Sequence, residues 1–501
     1  MAYRSFGSEL SYNDVDRLSR DFAAYLQKEL GVEKGDRVAM MAPNILAFVI
    51  GMAGVIRAGG VQVNVNPLYS PRELEHQLND ADVDTIIIFS ASTETLAQVI
   101  DETTVRNVIV TGLDDLVDKG LATPAVDERL SNTIAFTDAL ARGARLELHE
   151  PVLAQDDLLY LQYTGGTTGL SKGAMLTHGN LLANIMQFEA VGSSTINFGC
   201  EVIITAIPMY HIFALMVNTL CFFKWGASNV LIANPRDMDA FVHTWSESEP
   251  TVFVGVNTLF NGLLHTRGFD EIDFSSLKFT VGGGAPVQEA VTEKWNQLTG
   301  GHITEGYGLS ETSPILTLNL LTATEYRSGI GLPLPSTDIS LRDDDGNEVP
   351  QGERGELCAS GPQVMKGYWR QPEATSEATT KDNYFKTGDI AIMEEDGYFR
   401  IVDRKKDMIL VSGFNVFPNE IEAEVAAMPG VLESACIGVP NEATGEAAKL
   451  FVVKTDESIS VDDVRTFCRE RLVAYKVPKH VVFVDELPKS SVGKILRREL
   501  R

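Results

Sequence analysis

The run Tyr163-Thr164-Gly165-Gly166-Thr167-Thr168-Gly169-Leu170-Ser171-Lys172 gathers residue types that bind anionic oxygen. Its glycines let backbone N–H groups approach a ligand, its hydroxyls add donors, and Lys172 adds charge. A triphosphate suits that chemistry. The G-x-x-x-x-G-K-[ST] spacing of a Walker loop is absent, since the positions that should hold Gly-Lys-Ser/Thr do not. Taken alone, the cluster reads equally as an ordinary Gly/Ser/Thr turn.

The elements around it must present that loop. Leu158-Leu159-Tyr160-Leu161 reads as a strand running into it, and His178–Phe188 as a helix leaving it. Upstream, Ser11-Tyr12-Asn13-Asp14 is a helix start, followed by Val15, Leu18, Phe22 and Leu26 on one face. A buried helix through Ile45–Ile56, a helix over Ser70–Leu78, and apolar strands at Val61–Val65, Thr85–Phe89 and Asn107–Val110 give an alternation that predicts a layered α/β domain. Strands follow at Val202–Ile207, Thr251–Val256 and Leu277–Val281. From Tyr326 the texture turns to short strands and turns, with Asp343-Asp344-Asp345-Gly346 and Asp396-Gly397 as turn signals. The expected organisation is a large domain over 1–402, with a small β subdomain at 326–402, and a compact α+β domain over 403–501. In that last part Pro418–Met428 and Ser460–Leu472 read as helices, and Glu433–Val439, Lys449–Val453 and His480–Val484 as strands.

Composition narrows the function. The 501 residues carry 42 Lys and Arg against 69 Asp and Glu, a net charge of −27. That balance argues against nucleic-acid binding, which needs clustered cations. Residues 404–501 hold 15 basic and 15 acidic residues, so the excess lies entirely in 1–403. A neutral C-terminal part is the better landing place for an anionic ligand, although acidic surface also simply confers solubility. Five scattered cysteines form no C-x-x-C, which fits a reducing, cytoplasmic setting without disulfides or zinc. The apolar runs Ile45–Ile56 and Ile212–Phe223 are too short to span a bilayer, so membrane contact is expected to be peripheral.

Four further blocks accompany the first in order: Tyr307-Gly308-Leu309-Ser310-Glu311-Thr312, Lys386-Thr387-Gly388-Asp389, Asp403-Arg404-Lys405-Lys406-Asp407 and Pro488-Lys489-Ser490-Ser491-Val492-Gly493-Lys494. Together the blocks resemble the acyl-adenylating enzymes, a superfamily of acyl-CoA synthetases, peptide-synthetase adenylation domains and luciferases. The resemblance covers essentially the whole chain. It implies that a carboxylate attacks the α-phosphorus of ATP, giving an acyl-adenylate and pyrophosphate, and that a thiol then takes the acyl group.

By that resemblance Lys494 reaches the carboxylate and α-phosphate, where a solvated tail lysine is the alternative. Glu311, with Thr164, implies a Mg²⁺ ligand, or otherwise a helix cap. Tyr163 to Gly169 and Lys172 take the phosphates. Gly283, Gly284 and Ala285 offer the nucleotide a backbone surface or form a tight turn, Tyr307 lies against the adenine or is a core tyrosine, and Glu305, Gly306, Gly308 and Ser310 join the ATP site. Asp389, Arg404 and Lys406 complete the nucleotide site, or form surface ion pairs. His211 lines the carboxylate and phosphate site or is structural. Phe213, Leu215, Val256 and Leu259 are acyl-pocket candidates and equally core. Asp403 is similar to the family's hinge, about which the small domain turns to bring Val411, Ser412, Gly413 and Phe414 to the thiol channel.

Amino-acid-activating domains place an aspartate after the position of His211, where this chain has Ile212, Phe213, Ala214 and Leu215. The segments Asn64–Leu78, Gly255–Asn261 and Ile401–Asn415 look like those of bacterial long-chain fatty acyl-CoA synthetases. The expected substrates are a fatty acid, ATP and CoA, with Mg²⁺. A medium-chain or aryl acid, or delivery to a carrier protein, are the alternatives. A homodimer is a further expectation of the resemblance.

Overall fold

A computed structural model describes residues 1–164, 171–442, 444–490 and 493–501. Two large sheets dominate. The first has seven strands in the order Ile134–Ala135, Asn107–Thr111, Thr85–Phe89, Arg37–Met41, Val61–Asn64, Leu158–Thr164, Lys172–Thr177. All pairs are parallel except the last, where Lys172 returns antiparallel opposite Thr164. Parallel strands require crossovers, and the helices Leu46–Ala58 and Pro71–Asp80 supply them.

The second sheet has nine strands, in the order Leu332–Pro333, Ile315–Leu318, Ile303–Gly308, Phe279–Gly282, Val252–Gly255, Val202–Thr205, Ser228–Leu231, Tyr3–Ser5, Ser8–Leu10. Its far edge comes from the beginning of the chain, with Tyr3 in parallel register with Asn229. One continuous apolar core unites the two sheets, reaching from Met40, Ile87 and Tyr160 to Ile204, Phe253 and Trp295. The helix Leu46–Ala58 is apolar on nearly every face because it is buried in that core. The helix Tyr12–Lys28 begins where the sequence places it. Ser11 Oγ accepts from the Asp14 N–H at 3.1 Å, and the Asp14 carboxylate accepts from the Ser11 N–H at 3.1 Å.

A four-stranded antiparallel sheet follows, Asp338–Arg342, Arg354–Ser360, Phe385–Met393 and Phe399–Arg404. Leu332–Pro333 pairs with the nine-stranded sheet, while Ile330 just before it packs in the core of the small sheet with Leu341, Leu357 and Phe399. Proline is tolerated in Leu332–Pro333 because that strand is an edge. The strand Phe399–Arg404 runs through the expected boundary, with Asp403 opposite Ile390 and Arg404 opposite Asp389.

The C-terminal part is a five-stranded sheet with the helices Pro418–Ala426 and Val461–Arg471 and its own core around Ile409, Ile421, Leu450 and Val464. The apolar run after His211 forms a helix with π-type hydrogen bonding over Ala214–Cys221. Thr219 Oγ1 donates to the Ala214 carbonyl at 3.2 Å in the same five-residue step. Among the described residues no helix is long and apolar enough to cross a membrane.

Candidate active site

The strand Leu158–Thr164 ends at the phosphate-loop stretch, whose residues Gly165, Gly166, Thr167, Thr168 and Gly169 lie outside the described residues. Strand alternation sends its last two side chains apart. Thr164 Oγ1 donates to Glu311 Oε1 at 3.4 Å. Tyr163 goes to the opposite face, where it is buried and its hydroxyl donates to Asp80. Of the stretch expected to take the phosphates, Tyr163 thus turns its side chain away from Thr164 and Glu311. Its phenol ties the strand to the helix Pro71–Asp80. Lys172 opens the return strand with its ammonium 5.2 Å from the centroid of the Tyr368 ring.

Glu311 lies on the turn after the strand Ile303–Gly308, where a bulge between Tyr307 and Gly308 redirects the chain. Gly308 is required, because a Cβ there would sit 1.8 Å from the Pro314 carbonyl oxygen. Glu311 is 8% exposed and accepts from the Tyr368 hydroxyl at 2.9 Å. Burial pushes its carboxyl upward, opposed by these hydrogen bonds. The Tyr307 hydroxyl donates to Asp389 Oδ2 at 2.6 Å. Asp389 Oδ1 lies 3.4 Å from Arg404 Nε, across the ladder that pairs their two strands.

Ser310 starts the turn that carries Glu311. Glu305 does not join this group. Its carboxylate accepts from the Val287 N–H at 3.1 Å and from the Tyr326 hydroxyl at 3.3 Å, which braces the loop after Gly283-Gly284-Ala285. Burial pushes Glu305 up to about 7.

Lys494 comes to the same place from the far end of the sequence. Burial, then the Arg404 charge, with Lys406 and Arg497 adding and Asp389 opposing, pushes its amine down to about 7. Lys406 is pushed down to about 8, first by burial and then by Arg404. His211 is pushed down to about 4 by burial and by the Lys494 charge. The Phe213 N–H donates to His211 Nδ1 at 3.3 Å, so the neutral ring carries its proton on Nε2. Opposite the Lys494 loop, Thr258 Oγ1 donates to the Gly493 carbonyl at 3.0 Å.

Gly493 has φ +77°, and a Cβ on it would meet Thr258 Oγ1 at 2.4 Å. A Cβ on Gly284 would lie 3.6 Å from Val256 Cγ1, and one on Gly283 would lie 3.1 Å from the Phe213 ring. Phe213 and Val256 thus border the glycines expected to face the nucleotide. Leu215 is fully enclosed in the π-type helix, and Leu259 is buried on the helix Asn257–Leu264.

Asp403 is fully buried at the junction. Its carboxylate accepts from the Arg404 and Asn419 N–H groups at 2.7 and 2.8 Å, and lies 3.3 Å from Arg497 Nη1. Burial pushes it up to about 6 against the pull of Arg497. Val411, Ser412, Gly413 and Phe414 form a hairpin whose turn uses positive φ at Ser412 (52°) and Gly413 (85°). The exposed Phe414 ring stacks on Tyr475 at 4.7 Å. Among the described residues, no hydrogen bond, ion pair or ring contact joins this hairpin to the groups around Lys494.

Among the described residues no cluster of three His, Cys, Asp or Glu side chains could hold a metal by protein ligands alone. One buried carboxylate with a neighbouring hydroxyl fits a Mg²⁺ ion that brings waters and takes substrate phosphate oxygens. Three contacts escaped the sequence: Tyr368 on Glu311, Thr258 on Gly493, and His76 Nε2, which lies 3.1 Å from the Ser171 carbonyl. His76 and Thr258 lie in the segments Asn64–Leu78 and Gly255–Asn261 and Tyr368 in neither, yet only their long-range partners reveal these contacts.

The family model for AMP-binding enzymes matches residues 1–369, and that for the AMP-binding enzyme C-terminal domain matches 420–494. The chain is 52% identical to a long-chain-fatty-acid–CoA ligase of Yersinia pestis and 51% identical to one of Escherichia coli O6:H1, in each case over 100% of this chain and 91% of the relative. A solved anthranilate CoA ligase in complex with anthranoyl-AMP is 25% identical and superposes with a TM-score of 0.89, covering 100% of this chain and 93% of the other.

Proposed function

The chain belongs to the AMP-binding enzyme family, and from that premise we infer that it ligates a long-chain fatty acid to CoA at the expense of ATP. The fatty carboxylate oxygen attacks the α-phosphorus of ATP, the bond to the bridging oxygen breaks, and pyrophosphate leaves with its electron pair. The CoA thiol then loses its proton and attacks the acyl carbon, and AMP departs.

The observation that carries the assignment of roles is the meeting of Lys494 with Arg404, Lys406, Asp389 and His211, drawn from both ends of the resemblance. In this reading Lys494 neutralises the charge shared by the carboxylate and α-phosphate, acting by electrostatic stabilisation rather than covalent chemistry. The His211 Nε2–H donates beside it. Asp389, oriented by Tyr307 and Arg404, accepts from the ribose hydroxyls. Glu311 and Thr164 would hold Mg²⁺, which supplies charge neutralisation on the phosphate oxygens when bound. Phe213 and Val256 line the start of the acyl path.

The same reading makes 403–501 a mobile domain turning about Asp403. Its support is the division of the two loops: Gly493-Lys494 rests on Thr258, while Val411–Phe414 packs within its own domain. The arrangement suits the first half-reaction, and rotation would exchange the loops. Contact with the inner face of the cytoplasmic membrane would be peripheral, supported by the apolar substrate and by the lack of a spanning helix among the described residues. The homodimer rests on the resemblance alone.

The test is AMP release with Mg²⁺-ATP and saturated acids of graded length, with and without CoA, and the acyl product identified by mass. CoA-dependent turnover that peaks on long chains is the expected result. Turnover confined to aryl acids, or adenylate without thioester, overturns the assignment.

A further inference from the structure

We propose that Tyr368 is a positioning residue that holds the Glu311 carboxylate for a divalent cation and keeps it apart from Lys172. The inference rests on the roles given above to Glu311 and Lys172.

Tyr368 stands between two groups of opposite charge that both serve the same triphosphate. Its hydroxyl donates to Glu311 Oε1 at 2.9 Å, and its ring faces the Lys172 ammonium at 5.2 Å. Thr164 donates to the same carboxylate oxygen at 3.4 Å, so both of these side-chain donors engage Oε1. Glu311 and Lys172 form no ion pair with one another among the described residues. A direct pair would be favourable in so enclosed a place and would neutralise the acid needed by the metal and the cation needed by the phosphates. The phenol satisfies each with the part suited to it, a donor for the acid and a π face for the ammonium.

The mounting is rigid. Lys366 N–H donates to the Met175 carbonyl at 3.0 Å and Trp369 N–H to the Gly173 carbonyl at 2.8 Å, lacing Tyr368 onto the strand that begins at Lys172. Tyr368 N–H donates to Thr375 Oγ1 at 2.8 Å, and the Met365 N–H donates to the Glu311 carbonyl at 2.8 Å. The carboxylate, the ammonium and the phenol between them are thus fixed on one framework. A residue that orients a metal ligand in this way typically changes metal affinity about ten- to a hundredfold when its bond is removed.

The experiment measures Mn²⁺ binding by electron paramagnetic resonance in the complex with a non-hydrolysable ATP analogue, and analogue binding without metal by calorimetry. Tyr368→Phe keeps the ring and every backbone bond. It should weaken Mn²⁺ about tenfold and leave metal-free analogue binding unchanged. Tyr368→Leu, or Tyr368→Met if leucine unfolds the chain, should also weaken metal-free binding severalfold, because Lys172 then pairs with Glu311. Adding E311Q to that variant should restore metal-free binding. Wild-type Mn²⁺ affinity in Y368F overturns the positioning role, and unaltered metal-free binding in the open variants overturns the separation. E311Q alone isolates the underlying assignment: if it binds Mn²⁺ as tightly as the wild type, Glu311 is not a ligand and both readings fall.

Discussion

Arg497, three residues beyond Lys494, reaches the buried Asp403 carboxylate at 3.3 Å and grips Glu422 at 2.7 Å. The tail of the Lys494 loop is thereby fastened to the proposed hinge. Arg497→Ala would leave Asp403 and Glu422 without their cation in a poorly solvated place, at a cost of roughly 3–5 kcal/mol. Calorimetry should show an early transition from the C-terminal part while the main transition stays in place. An unchanged profile would remove Arg497 from that role.

Lys494→Ala should slow adenylate formation by about a hundredfold or more, the scale of losing one preorganised charge donor. Thioester formation from supplied acyl-adenylate should continue at nearly the wild-type rate. Equal losses in both half-reactions would mean that Lys494 serves the fold or both steps.

The depressed Lys494 amine gives the first half-reaction a pH dependence. With the folded amine down to about 7, its protonated fraction falls as pH rises through that value. If only the cation works, kcat/KM for adenylate formation should drop about tenfold per pH unit above the inflection. Lys494→Arg stays charged and should lose the inflection. An identical profile in that variant would assign the titration to another group, such as Lys406.

Glu305→Gln should alter stability rather than chemistry. The folded carboxyl titrates near 7, against 4.5 in an unfolded chain. Between those values the native state binds more protons, so wild-type stability declines as pH rises and levels off above 7. The amide cannot titrate yet still accepts from the Val287 N–H. Its advantage in denaturant melts should grow across that window by about 1–3 kcal/mol. A pH-independent difference would contradict the shift.

Much of this arrangement is legible locally. The capping boxes at Ser11 and Ser460, the buried strand Thr85–Phe89 and the turn at Asp343–Gly346 each follow from neighbours in sequence. The site blocks are legible too, since the chemistry of a nucleotide demands particular side chains at fixed spacing. What escapes is long-range. Nothing near Tyr368 announces Glu311, 57 residues away, and nothing near Thr258 announces Gly493, 235 residues away. The burial of Asp403 is likewise illegible locally, since Arg497, 94 residues on, and the Asn419 N–H satisfy the acid.

The pairing of Tyr3 with Asn229 sets an order of events during synthesis. The seven-stranded sheet is complete once Thr177 has emerged, whereas Tyr3–Ser5 and Ser8–Leu10 must wait for Ser228–Leu231. At translation rates of about 5–20 residues per second the delay is roughly 10–45 seconds. Throughout that interval a sticky hairpin, with Tyr3 and Leu10 uncovered, hangs beside a nascent half-protein.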